Sequence, residues 1–323
     1  MVIKNKKIKW LLVIILFVFV IINIVAYFHA YKFTHFSNSA IAKTKDGNKL
    51  SIAKKISAIL FGINNPRPVN ATVPQQNFKI IKLKSNKEIE CWLINVNAPV
   101  GTVILFHGYS GQKSSMLDKA DVFLRLGYNV LLVDFMGSGG SEGNQTTIGF
   151  YEAEEVKTAF DYISQQGEKN IILFGTSMGA VAIMKAQSDY NLNASGLIIE
   201  CPFGTMLQTV QARFATMHVP SFPMANLLVF WGGLQNNFNA FKHNPTDYAK
   251  NIKCPTLLLY GEKDKKVSEN EIDTIFKNLN GYKQLKTYLL AGHENYLTKY
   301  KDKWITDVSD FISSIPKPKI GSK

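Results

Sequence analysis

Apolar and polar residues are spread unevenly along the chain. A run from Trp10 to Phe28 is apolar except for Asn23. From residue 78 onward, short apolar runs alternate with stretches of helical periodicity. Phe78–Leu83 and Ile89–Ile94 are β-rich around Ser85-Asn86-Lys87 and predict an antiparallel hairpin. Thr102–Phe106, Tyr128–Val133, Asn170–Phe174, Gly196–Ile199 and Thr256–Tyr260 read as strands buried on both faces. Lys286–Leu290 predicts a last strand. Helical patterns over Met116–Leu126, Tyr151–Ser164, Met178–Gln187 and Glu269–Leu279 separate these runs. A final helix puts Trp304, Val308, Phe311, Ile312 and Ile315 on one face. The alternation predicts the α/β class: a mostly parallel, doubly wound sheet whose functional loops follow the carboxyl ends of strands.

The rhythm stops over residues 202–250. Phe203, Met206, Leu207, Phe214, Met217, Phe222, Met224, Phe230, Trp231, Phe238 and Phe241 are broken up by Pro220, Pro223 and Gly232-Gly233. A segment this apolar cannot be a solvated loop. It reads as short helices over the sheet edge, either plain core packing or a small helical cap lining an apolar pocket. Phe214 and Trp231 are the residues expected to shape that pocket.

The Trp10–Phe28 run would span roughly 28 Å as a helix, close to the thickness of a hydrocarbon core. A cleaved signal peptide needs a shorter apolar stretch and a small-x-small site after it. Ala26-Tyr27-Phe28-His29-Ala30 instead puts bulky Phe28 there, which favours an uncleaved transmembrane helix. Lys4, Lys6, Lys7 and Lys9 ahead of the run place the N-terminus in the cytoplasm and the rest of the chain outside. Lys32, Lys43 and Lys45 weaken that asymmetry. The expected organisation is a basic cytoplasmic segment (1–9), a transmembrane anchor (10–28) and a juxtamembrane connector (29–77). An α/β domain (78–315, cap about 202–250) and a tail (316–323) follow. Within the connector, Leu50, Ala53, Ile56 and Leu60 recur at helical spacing among Lys49, Lys54 and Lys55, before Pro66, Pro68 and Pro74 end any helix. Such a helix would lie on anionic headgroups or pack on the α/β domain.

Composition narrows the function classes. With 46% hydrophobic and 19% charged residues, wholesale disorder is excluded. The net charge is +13, yet among the 37 basic residues only Arg67, Arg125 and Arg213 are arginine. Guanidinium is the preferred reader of phosphate and guanine, so the balance argues against a nucleic-acid partner. Cys91, Cys201 and Cys254 lie too far apart for a disulfide framework or a cysteine-pair zinc site.

Candidate chemistry sits at the strand ends. Gly175-Thr176-Ser177-Met178-Gly179 matches G-x-S-x-G, with the apolar run Ile171–Phe174 leading in and a helical pattern leading out. That context predicts a strand–turn–helix elbow, with glycines flanking a strained nucleophile and a helix N-terminus aimed at a developing oxyanion. The plain alternative is a serine at an anion-binding helix start. A serine hydroxyl needs a base, and the base an orienting acid. Of the six histidines, His29 and His35 lie by the anchor and His218 and His243 in the cap. His107 ends a strand, whereas His293 follows the last strand in Ala291-Gly292-His293-Glu294-Asn295. Asp264, just after Thr256–Tyr260, completes the order Ser177, Asp264, His293. Glu200, ending Gly196–Ile199, is the competing acid.

Phe106-His107-Gly108-Tyr109-Ser110-Gly111, Asp134-Phe135-Met136-Gly137-Ser138-Gly139-Gly140-Ser141, the Gly175–Gly179 elbow, Tyr260-Gly261-Glu262-Lys263-Asp264 and Gly292-His293 together resemble the α/β-hydrolase superfamily. More narrowly, the chain is similar to membrane-anchored bacterial hydrolases related to serine aminopeptidases and prolyl oligopeptidases. The resemblance covers about residues 78–315. It implies an α/β-hydrolase fold, Ser177 as nucleophile, Asp264 as acid and His293 as base, with an oxyanion hole from the backbone amides of Tyr109 and Met178. It also implies structural roles for His107 and Asp134, and no cofactor or metal. Tyr109 departs from the glycine-rich run of many lipases, which would suit bulkier alcohols. The expected activity is hydrolysis of a small-molecule or lipid-like acyl ester through an acyl-enzyme. The alternatives are a peptidase or acyltransferase using the same triad, or a catalytically silent binding protein.

Overall fold

The structure, a computed structural model, describes residues 6–37 and 52–315. Lys4, Leu50, Lys49 and the expected tail lie outside the described residues. Eight strands form one sheet: β1 (Phe78–Lys84), β2 (Glu88–Ile94), β3 (Thr102–Phe106), β4 (Asn129–Val133), β5 (Ile171–Thr176), β6 (Gly196–Glu200), β7 (Thr256–Gly261) and β8 (Lys283–Tyr288). Their order is β1-β2-β4-β3-β5-β6-β7-β8. β1 and β2 form the expected antiparallel hairpin, β2 runs antiparallel to β4, and every pairing from β4 to β8 is parallel.

The central strands β3, β5, β6 and β7 are buried nearly throughout, which is why they read as unbroken apolar runs. One face of the sheet is covered by α4 (Glu152–Gln165), α5 (Met178–Tyr190) and α8 (Glu269–Asn278). The other packs α3 (Leu117–Arg125) and α9 (Lys301–Ser314), with Phe123 and Trp304 edge-to-face. The final helix buries Trp304, Val308 and Phe311, as its spacing predicts.

The last strand is displaced from the sequence expectation. It spans Lys283–Tyr288, and Leu289 and Leu290 are exposed in the turn that follows. The cause is its edge position: pairing only with β7, it has half-buried residues and tolerates Lys283, Gln284 and Lys286. Hydrophobicity alone therefore placed it too late.

The N-terminal helix α1 runs from Lys6 to Thr34 and is the one described helix long and apolar enough to cross a membrane. Its first four turns are exposed, whereas Ala26, Ala30 and Thr34 are buried against the body. Helix α2 (Ile52–Phe61) packs on the end of α1: the His29 Nε2–H donates to the Ile59 carbonyl (2.9 Å), and Phe28 meets Phe61 edge-on. Ile56, Ile59, Leu60 and Phe61 remain exposed.

Between β6 and β7 lies the cap, built from α6 (Met206–Thr216), α7 (Met224–Gln235) and short helical turns at Ala240–Lys242 and Pro245–Tyr248. It does not sit over a sheet edge. It sits above the carboxyl ends of the central strands, with Thr209 and Arg213 of α6 facing the loop that carries Ser177. Its apolar helix α7 lies along α1: Trp231 Nε1–H donates to Asn23 Oδ1 (3.2 Å), and Gln235 Nε2–H donates to the Tyr27 carbonyl (2.9 Å). Asn23, the polar break in the apolar run, is thus paired with the cap.

Candidate active site

The strand order reverses at β3, whose neighbours are β4 and β5, and such a reversal opens a crevice at the carboxyl strand ends. Ser177 stands there, on the turn between β5 and α5, with φ 53° and ψ −112°. A non-glycine residue in that region is strained and persists only where its surroundings hold it. Here the backbone N–H of Ser177 donates to the Glu200 carbonyl (2.8 Å), and its own carbonyl accepts from Val181. The flanking glycines are sterically required. A Cβ on Gly175 would lie 2.5 Å from the Gly179 carbonyl carbon, and one on Gly179 would lie 2.3 Å from the Phe106 carbonyl oxygen.

His293 and Asp264 arrive from the loops after β8 and β7. The His293 Nδ1–H donates to Asp264 Oδ2 (2.7 Å), which leaves Nε2 to accept the Ser177 hydroxyl at 3.0 Å. Asp264 is held by its other oxygen, which accepts the backbone N–H groups of Lys266 (2.7 Å) and Val267 (3.1 Å). Burial alone would pull the His293 pKa down. The neighbouring Cys201 sulfur and the Asp264 carboxylate outweigh it, so the imidazole stands above its ordinary value.

The competing acid is committed elsewhere. Glu200 accepts from Trp304 Nε1 (2.6 Å) and from Thr176 Oγ1 (2.9 Å), and Lys119 Nζ lies 3.4 Å away. It ties the elbow to α3 and α9 and does not contact His293. His107 is fully buried and uses both ring nitrogens: Nδ1–H donates to the Gly108 carbonyl (2.8 Å) and Nε2 accepts from Phe135 N–H (3.1 Å). Asp134 is a buried anchor for Lys113, Asn70 and the Gly140 amide. In the cap, His243 is held between the Tyr248 hydroxyl and the Ile148 carbonyl.

Met178 is the first residue of α5, so its amide belongs to the helix start beside Ser177. Tyr109 follows Gly108, at which an added Cβ would lie 3.3 Å from the Thr176 carbonyl and 3.6 Å from the Ser177 Cβ. The His107–Tyr109 loop therefore passes directly against the elbow. The Tyr109 ring turns away to stack on Phe33 of α1 (4.6 Å), and its hydroxyl donates to the Phe33 carbonyl (2.7 Å).

Two adjoining cavities meet here. One of ≈320 Å³ is lined by Ser177, His293, Tyr109, Lys119, Lys266 and Asn295, among others. The second, of ≈200 Å³, is mainly apolar and lies between α1, α6 and α7, with Phe33, Val210, Phe214, Leu228, Gly232 and Phe238 in its wall. Phe214 faces this cavity as expected. Trp231 does not: it packs on Tyr27 and Asn23 of α1, outside the residues that line the cavity. Leu228 and Gly232 take the place expected of it, because the Trp231 side chain is engaged along α1 instead.

Sequence reasoning passed over two residues. Cys201 follows β6 with φ 40°, and its sulfur, an Asp264 oxygen and a His293 nitrogen all lie within 4.8 Å of one another. Those three side chains are a donor set a soft metal would accept, but Asp264 and His293 are already bonded to each other. Arg213 lines both cavities and stacks over Phe33 at 4.0 Å. Neither belongs to a local motif; only the folded chain brings them to the site.

Residues 97–247 match the family described as serine aminopeptidase, S33. The uncharacterized protein YqkD of Bacillus subtilis is 26% identical over 218 residues, covering 66% of this chain and 72% of that one. The lysophosphatidylserine lipase ABHD12 of Danio rerio is 24% identical over 196 residues, 56% of this chain and 49% of that protein. Among solved structures, the Pyrococcus furiosus esterase Pf2001 superposes with a TM-score of 0.67 at 22% identity, over 78% of this chain and 98% of that one. The shared sheet shows that the chain has the α/β-hydrolase fold, and residues 97–247 within it are similar to the serine aminopeptidase S33 family.

Proposed function

We propose that the chain is a membrane-anchored serine hydrolase that cleaves carboxylic esters through an acyl-enzyme. One observation carries this reading: an unbroken line of hydrogen bonds from Ser177 Oγ through His293 to Asp264, at 3.0 and 2.7 Å. In the first step Ser177 Oγ bonds to the ester carbonyl carbon while its proton passes to His293 Nε2. Asp264 stabilises the imidazolium and fixes its orientation. The oxyanion is held by the amides of Tyr109 and Met178. Collapse breaks the carbon–oxygen bond to the alcohol, which leaves with the proton from His293. Water then loses a proton to the same nitrogen as it attacks the acyl carbon; the bond to Ser177 Oγ breaks, the acid leaves, and His293 returns the proton to Oγ.

The apolar cavity favours an ester of appreciable acyl length over a peptide. A peptidase that trims N-termini needs a free carboxylate for the ammonium group. Among the described residues, the carboxylate lining the reaction cavity is that of Glu294, and it is paired with Lys299 (2.8 Å). Incubating the protein with a fluorophosphonate should label Ser177, and a series of nitrophenyl esters should be turned over where aminoacyl anilides are not. Efficient anilide cleavage with poor ester turnover would make it a peptidase.

The acyl site can be tested separately. Phe214→Ala enlarges the cavity and Gly232→Phe fills it, since nothing lies within 4 Å of a Cβ at Gly232. Phe214→Ala should shift preference toward longer acyl chains and Gly232→Phe toward acetyl esters, with Trp231→Ala changing neither. Parallel losses across all chain lengths would instead mean that these residues only pack the cap.

Helix α1 supports a retained anchor. Its Asn23 and Tyr27 are hydrogen-bonded to Trp231 and Gln235, so cleavage after residue 30 would strip these contacts from the cap. The full chain should stay with membranes through carbonate extraction, and protease added outside intact cells should reach the catalytic domain. A mature N-terminus beyond residue 30 would establish a cleaved signal.

A further inference from the structure

Arg213 is the one arginine of three that borders the reaction cavity. Its half-buried guanidinium lies over the Phe33 ring at 4.0 Å and near Tyr109 at 5.7 Å. Among the described residues no carboxylate pairs with it, and no acceptor takes its N–H groups. A ring face orients the guanidinium plane but satisfies none of its five donors. Arginine does not shed its proton on partial burial, so the cavity wall keeps a fixed positive charge whose donors an arriving anion can take.

The neighbouring charges do not supply that anion. Asp264 is engaged with His293, Glu200 with Trp304 and Thr176, and Glu294 with Lys299. Lys119 is occupied by Glu200 and Asn295, while Lys266 adds a second positive charge to the cavity rim. The cavity that would receive the alcohol half of an ester is therefore electropositive, with one preoriented fork in its wall. The adjoining cavity is apolar and suits the acyl chain.

Resting on the ester-hydrolase reading above, we infer that Arg213 binds an oxyanion on the alcohol side of the substrate. The substrate class is then a single-chain acyl ester whose alcohol carries a phosphate or a similar oxyanion. The N-terminal helix takes part, because Phe33 sets the plane of the guanidinium.

The test uses the full-length protein in detergent with two matched pairs: a monoacylglycerol against the 1-acylglycerol 3-phosphate of the same chain, and decanol against decyl phosphate as ligands. The wild-type protein should prefer the phosphate-bearing ester, and decyl phosphate should compete with a short neutral ester far better than decanol does. Arg213→Met keeps the packing on Phe33 and removes the charge. It should lower kcat/KM for the phosphate-bearing ester by ~10–100-fold while leaving the neutral ester within ~3-fold, the size expected for losing a charge-assisted contact. Arg213→Lys should restore part of the preference. Equal losses for both esters would make Arg213 a packing residue and overturn the inference, as would an unchanged preference in Arg213→Met or equal competition by the two decyl ligands. Calorimetry of decyl phosphate binding needs no turnover. Binding that depends on Arg213 in a protein that fails to react with fluorophosphonate would sink the catalytic reading and leave the anion site standing.

Discussion

Replacing Ser177 by alanine should abolish fluorophosphonate labelling and lower ester turnover by ~10⁴–10⁶-fold, the loss seen when a nucleophile of this kind is removed. The size follows from the geometry. His293 Nε2 lies 3.0 Å from Ser177 Oγ, so without the hydroxyl the base has only water to activate, and no covalent intermediate forms. The two amides would still polarise a bound carbonyl, so a residual rate above the uncatalysed one should survive. Folding should be nearly unchanged, because the hydrogen bonds fixing the elbow come from the Ser177 backbone. Thermal melting should therefore coincide with wild type while labelling vanishes. Undiminished labelling in Ser177→Ala would move the nucleophile elsewhere. His107→Ala gives the contrast: it strips a buried ring from the loop beneath Tyr109, so stability should fall and some labelling of Ser177 should remain.

The parts of the fold that were legible in the sequence are those where burial is complete. β3, β5, β6 and β7 are dry on both faces, and their apolar runs announced them within a residue or two. The edge strand β8 was misplaced because half-buried positions carry no clear pattern. The elbow was legible for a steric reason: Gly175 and Gly179 are excluded from bearing a Cβ by backbone atoms 2.5 and 2.3 Å away, and that requirement is local in sequence. His293 and Asp264 were legible because the fold puts each just past a strand end, where a motif of a few residues suffices to mark it.

What the sequence hid depends on long-range packing. Arg213 reaches the site because α6 crosses above β5, and its orientation depends on Phe33, which is 180 residues earlier in the chain. The inward face of α7 was misread for a similar reason. The helix is apolar almost all round, so periodicity could not say which side meets the cavity and which meets α1. Cys201 was passed over because a lone cysteine has no spacing to read, although the turn after β6 brings its sulfur to the His293–Asp264 pair.

Asp264→Asn should cut turnover by ~10³–10⁴-fold with a small change in stability, whereas Glu200→Gln should cost far less turnover and more stability. The first effect is a matter of tautomer. Asp264 Oδ2 accepts the Nδ1 proton and so leaves Nε2 free for the serine; an amide can present its NH₂ instead and turn the imidazole the wrong way. Its other oxygen accepts two backbone N–H groups, which the amide oxygen can keep, so the loop should survive. Glu200 differs in kind: it is fully buried under Trp304, Thr176 and Lys119, and its neutral amide would leave Lys119 facing no charge. The pH profile separates the two variants. Activity requires neutral His293, so kcat/KM should rise with pH through the imidazole pKa. Because that pKa is raised, the wild-type limb should lie above 6.5, the ordinary value. Removing the Asp264 charge withdraws one of the influences holding the proton, so the residual activity of Asp264→Asn should rise at lower pH than in wild type. Glu200→Gln should leave the limb in place. A profile that moves in Glu200→Gln and stays fixed in Asp264→Asn would assign the orienting acid to Glu200 despite the 2.7 Å bond between Asp264 and His293.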